Sequence, residues 1–151
     1  MADFRLAYKK IEAAEGDYVN DPDDKGGETY KGISRKANPD WNGWISIDQI
    51  KKAHPTTFKN ILKRTPELEK KVQDLYKDKY WDCFELDDIP NQLVAEQIFD
   101  TAVNCGQVAA IKFIQRVLDL RETGVWSLDL LYKLVAVSYT HLRAHETCAD
   151  L

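Results

Sequence analysis

Cysteine is scarce in this chain of 151 residues: Cys83, Cys105 and Cys148 are an odd number without paired spacing. That argues against a disulfide framework and fits a reducing compartment. No apolar run approaches the ~20 residues that a membrane span requires. The opening MADFRLAYKK holds no apolar signal-peptide core, so neither a secretory leader nor membrane insertion is expected. Internal repeats and low-complexity segments are missing, and no glycine-rich phosphate loop follows a strand. Charge of one sign is missing as well. The net charge is −4, and residues 1–30, 31–80 and 81–151 carry −4, +6 and −6. The basic middle has acids among its lysines at helical spacing, so it reads as solvated helix faces and not as a nucleic-acid surface. What is present is a composition 44% hydrophobic and 11% aromatic, enough for a sizeable core in one ordinary domain.

The periodicity predicts a mostly helical protein. Phe4, Tyr8 and Ile11 mark a first helix, which Gly16 is placed to stop. Residues 17–33, with Asp-Pro and Gly-Gly, read as a turn-rich β-hairpin. Ser46 with Gln49 resembles a capping box, opening a helix that Pro55 ends. Thr65-Pro66-Glu67 is a cap with proline at the first helical position, opening a helix to about Trp81 with Leu68, Val72, Leu75 and Lys79 on one stripe. Helices are expected over about Asn91–Asn104 and Val108–Leu118, with a break at Gly106. A last helix is capped by Ser127.

One carboxylate stands out. At 100° per residue, Tyr8 lies roughly 40° from Phe4, Ile11 roughly −20° and Glu15 roughly 20°. Glu15 thus falls within the apolar stripe, where lost solvation raises a carboxyl pKa and keeps the proton that a general acid needs. The alternative is a Glu that escapes to water at the helix end. Asp17, Asp21, Asp23, Asp24 and Glu28 follow it across a glycine-rich turn. Paired carboxylates on a helix end and a hairpin suit glycoside hydrolysis. A calcium loop is the competing reading, but D-P-D-D-K-G-G-E lacks the EF-hand rhythm and Pro22 interrupts it.

The segment EGDYVNDPDDKGGETYKGI, Glu15 to Ile33, closely resembles the signature of glycoside hydrolase family 108, the N-acetylmuramidases of phages and prophages. It departs from the family pattern at Asp17, where glycine is usual, and at Tyr30, where asparagine is common. YKDKYWD (76–82), Ile89-Pro90, FDTAVNCG (99–106) and IQRVLDL with TGVW (114–126) are similar to the family's second half, a helical peptidoglycan-binding segment. Ser127-Leu128-Asp129 replaces the usual Gly-Pro continuation.

The resemblance implies a lysozyme-like fold, mainly α with a small β-hairpin. It implies a catalytic lobe over 1–88 and binding helices over 89–137. The implied reaction is hydrolysis of the β-1,4 bond between N-acetylmuramic acid and N-acetylglucosamine in bacterial peptidoglycan, with Glu15 as the acid. By looser analogy to phage-type lysozymes, Asp24 steadies charge or positions water and Thr29 helps to hold that water. Asp21 competes with Asp24. Tyr18, Tyr30, Trp41, Trp44, Tyr80 and Trp81 are candidates for stacking on sugar, against the alternative that they are core. Tyr18, Asp21, Tyr30, Trp81 and Asn104 are the expected substrate contacts, Asn104 with the alternative of a helix cap. A lytic transglycosylase would use the same acid, and a binding module without turnover is the reading of another class.

No cofactor and no metal are expected, since His141 and His145 are an isolated pair and neither Cys83 nor Cys105 has a partner for nucleophilic work. The chain is expected to act as a monomer, reaching the wall after holin-type release, lysis or non-standard export. Residues 138–151, with VSYTHLRAHETCADL spanning their start, resemble translated sequencing-adapter DNA at the end of a metagenomic contig. They are expected to be a non-native tail.

Overall fold

A computed structural model describes residues 1–13 and 16–149, with side chains described through Thr140 apart from those of Ala14 and Glu15. The chain forms two compact units, one of residues 1–8 with 76–151 and the other of residues 9–75. The units divide within two helices, α1 (Phe4–Glu12) and α4 (Pro66–Tyr80), each of which contributes residues to both.

In the unit of residues 9–75, the expected hairpin is present and has a third strand. β1 (Tyr18–Asn20), β2 (Glu28–Tyr30) and β3 (Ile33–Ser34) form an antiparallel sheet in that order. Tyr18 pairs with Tyr30, Val19 with Thr29, and Asn20 with Glu28. α2 (Gly43–Ala53) and the short α3 (Phe58–Lys63) follow.

Two sequence signals at helix starts have other uses here. α2 begins at Gly43, ahead of Ser46, and Ser46 Oγ accepts instead from Lys71 Nζ at 2.8 Å. The early start depends on a missing side chain: a Cβ on Gly43 would lie 2.2 Å from the Trp41 ring. Thr65 Oγ1 does not cap α4. It donates back to Ile61 O at 2.7 Å, over the end of α3. Pro66 holds the first helical position of α4 as predicted, where its missing N–H costs nothing. Leu68 and Val72 are buried, as their stripe requires.

In the unit of residues 1–8 and 76–151, Asp3 Oδ1 accepts from Arg5 N at 2.9 Å and caps α1. Two 3₁₀ turns, Asp82–Phe84 and Leu86–Asp88, are joined by Glu85 in the left-handed region at φ +50°. α5 (Gln92–Cys105) is capped by Asn91, whose side chain accepts from Leu93 N and Val94 N at 2.9 and 3.3 Å. Gly106, at φ +91°, separates α5 from α6 (Gln107–Val117).

The Thr-Gly-Val-Trp motif is organised by buried Gln115. Its Nε2 donates to Thr123 Oγ1 at 2.8 Å, and its Oε1 accepts from Gly124 N at 3.0 Å. α7 (Leu128–Ala149) opens under Ser127, whose Oγ accepts from Leu130 N at 3.2 Å, and continues through the segment expected to be a tail. Phe4, Trp81 and Phe99 meet edge to face at 5.7 Å and anchor this unit's core. No helix among the described residues is long and apolar enough to cross a membrane.

Candidate functional site

The described helical residues of α1 end at Glu12. Glu15, the expected acid, lies outside the described residues, so its place is bounded by what flanks it: α1 before, and Gly16-Asp17 leading into β1 after. The segment that follows is fully described. β1 and β2 are joined by the loop Asp21-Pro22-Asp23-Asp24-Lys25-Gly26-Gly27, which the loop's own backbone folds. Asp21 Oδ1 accepts from Asp23 N at 2.9 Å, and Asp21 O accepts from Asp24 N at 3.1 Å. Asp24 repeats the device one turn on, with Oδ1 taking Gly26 N at 3.1 Å and its carbonyl taking Gly27 N at 3.0 Å. Gly27 sits at φ +64°, which a side chain would resist.

Asp21 and Asp24 are exposed, and Thr29 is half-buried on β2 with Oγ1 3.5 Å from Gly27 O. The hairpin carries Asp21 and Asp24 on its loop and Thr29 on β2, on the face of the sheet opposite the paired Tyr18 and Tyr30. Asp21 and Asp24 each have one carboxylate oxygen committed to a backbone amide. The loop presents its exposed carboxylates on turns closed by its own backbone amides.

The aromatic expectations divide by burial. Tyr30 is 1% exposed, with its hydroxyl 3.4 Å from Leu62 O. Burial first, then the charges of Glu69 and Asp17, push its pKa up to about 12. Trp81 is 0% exposed, within the Phe4–Phe99 cluster, and donates from Nε1 to Asp87 Oδ1 at 2.8 Å. Neither ring offers an open face to a sugar in this structure; both fill the core. Trp41 and Trp44 are also buried, meeting edge to face at 5.1 Å.

Tyr18 is buried against Phe58, with ring centroids 5.0 Å apart, and its hydroxyl reaches a polar cluster. Asn104 is exposed near the end of α5. It is not the cap: its Nδ2 donates one turn back, to Asp100 O at 2.9 Å and Asp100 Oδ1 at 3.1 Å.

The polar cluster was not expected as a unit. Glu28, whose side chain is 14% exposed, accepts from Tyr18 Oη at 2.7 Å and from Lys51 Nζ at 3.1 Å. Lys51 also donates to Tyr18 Oη at 3.0 Å. Arg35 Nε lies 2.6 Å from Glu28 Oε2, an ionic contact off the N–H direction, since that nitrogen makes no hydrogen bond. Arg35 turns its two terminal nitrogens to Asp48, at 3.1 and 2.6 Å, and its guanidinium lies 4.5 Å over the Trp44 ring.

Loss of solvation is the larger influence on Tyr18 and raises its pKa. Its hydrogen bond to Tyr18 raises the pKa of Lys51, and the Arg35 fork lowers that of Asp48. Glu28 was legible in sequence only as one of several acids near Glu15. Arg35, Asp48 and Lys51 lie too far along the chain for spacing to connect them. Among the described residues, no group of three His, Cys, Asp or Glu side chains is placed to hold a metal ion, and the side chains of His141 and His145 lie outside those described.

The family model described as Glycosyl hydrolase 108 matches residues 8–106, which include the whole hairpin and its acidic loop. The structure of SagA from Brucella abortus is similar, with a TM-score of 0.61 and 28% sequence identity, over 87% of this chain and 67% of that chain. No curated protein sequence matches the chain. The expected architecture, mainly α with a small antiparallel sheet and lysozyme-like, is the architecture present.

Proposed function

The chain belongs to glycosyl hydrolase family 108, and from that premise we propose that it is an N-acetylmuramidase acting on bacterial peptidoglycan. The observation that carries the reading is the family match over residues 8–106, which spans Glu15 and the acidic hairpin in sequence. Hydrolysis of a glycoside needs one carboxyl that holds a proton and a second group that steadies the oxocarbenium-like charge or directs water. Glu15 is assigned the first role, protonating the oxygen that leaves. Asp24 is assigned the second, with its free oxygen available and its other oxygen fixed by Gly26 N. Asp21, exposed on the same loop, is the alternative second carboxylate. Thr29 is assigned to help hold the water.

The bond cleaved is the β-1,4 link between N-acetylmuramic acid and N-acetylglucosamine. No cofactor has a part in these steps. The proposed setting is the cell wall, reached after release or export from the cell that makes the protein. Replacing the acid tests the assignment. Glu15→Gln keeps the shape of the side chain and removes the transferable proton, so release of soluble fragments from purified peptidoglycan is expected to fall at least about 100-fold. A variant within about threefold of the wild type would remove Glu15 from the role of acid. Wall binding by both proteins without release would favour a binding module.

A further inference from the structure

A cluster of Glu28, Lys51 and Arg35, each partly buried, with exposed Asp48 carries two negative and two positive charges, so it has no excess charge to offer a substrate. Such clusters seldom add net stability, because desolvation offsets the attraction; what they supply is direction. The direction here is specific. Glu28 is the first residue after the acidic loop and pairs across the sheet with Asn20, the last residue before it. It is also the chain neighbour of Thr29. Its carboxylate joins Tyr18 on β1 to Lys51 on α2, and Arg35 extends the connection to Asp48, also on α2. One side chain thus holds both stems of the loop against a helix.

We propose that Glu28, clamped by Lys51 and Arg35, is a positioning residue that fixes the loop bearing Asp21 and Asp24, together with Thr29, for the glycosidic reaction. The proposal rests on the muramidase reading for its catalytic consequence. Displacement of a reacting group by about 1 Å can cost on the order of 100-fold in rate. The clamp therefore acts on turnover more than on binding.

The test uses the full chain, with soluble uncross-linked peptidoglycan strands as substrate and amide hydrogen exchange over residues 21–27 as a second readout. Glu28→Gln keeps the shape and loses the charge. It is expected to lower kcat at least tenfold with KM within about twofold, and to speed exchange at Gly26 and Gly27 at least fivefold. Lys51→Met is expected to behave alike, and Lys51→Arg to recover kcat to within about threefold of wild type, since an arginine can still donate to Glu28.

Unchanged kcat and unchanged exchange in Glu28→Gln would overturn the proposal. So would Lys51→Arg proving as damaging as Lys51→Met, since a clamp should accept either cation. If Glu28→Gln does not fold, the Lys51 pair decides alone. If wild type releases nothing, the muramidase reading fails, and loop exchange still decides the clamp: acceleration in Glu28→Gln supports it and protection equal to wild type overturns it.

Discussion

At the scale of single residues, burial sets the chemistry more than residue type does. The Tyr30 hydroxyl titrates near 12 because its ring is enclosed and Glu69 and Asp17 lie near. An unfolded tyrosine titrates at about 10. The folded state thus holds the proton more tightly, and the stability this gives is complete below about pH 10 and is lost as pH rises towards 12. The urea midpoint of the wild type is expected to fall more steeply between pH 9 and 12 than that of Tyr30→Phe; parallel curves would contradict the assignment.

Cysteines divide in the same way. Burial pushes the Cys83 thiol up to about 11, and its Sγ lies 3.0 Å from Lys79 O, whereas Cys105 is exposed. At pH 8, peptide mapping should find iodoacetamide on Cys105 at least tenfold faster than on Cys83, because the thiolate is the reactive form. Equal rates would show that Cys83 is open to solvent. Burial also explains which aromatics were misleading in sequence. A ring that packs and a ring that stacks on sugar share one signature, and nothing local separates the enclosed Tyr30 and Trp81 from an open binding face.

At the scale of elements, starts and stops were most legible where one residue acts alone. Asn91, Pro66, Gly106 and Ser127 mark helix boundaries as their chemistry requires. Ser46 and Thr65 carry the same signals but bond elsewhere, to Lys71 and to Ile61 O, and no local rule shows that a distant partner will compete. α3 gave no distinct signal because six residues are too few for a helical period to show. The start of α2 at Gly43 makes a direct prediction. Gly43→Ala places a methyl into the Trp41 ring and is expected to destabilise the protein by about 1–3 kcal/mol in urea unfolding, through overpacking. A loss under about 0.5 kcal/mol would mean that Trp41 moves aside without cost.

At the scale of the whole molecule, contiguity along the chain decides what a sequence can show. The signature from Glu15 to Ile33 is contiguous, so it could be read directly, and it lies in the unit of residues 9–75. The Glu28 cluster that holds it is not contiguous: Arg35, Asp48 and Lys51 come together only through the sheet and α2. Family membership makes the chain a glycoside hydrolase, and the central proposal concerns how water takes part.

The most direct measurement is mass spectrometry of soluble products from purified peptidoglycan digested by the full chain in water enriched in oxygen-18. A muramidase leaves a reducing muramic acid end that carries one heavy oxygen, and Glu15→Gln should yield none above background. Anhydro-muramic ends without label would contradict hydrolysis and assign the chain to the transglycosylases.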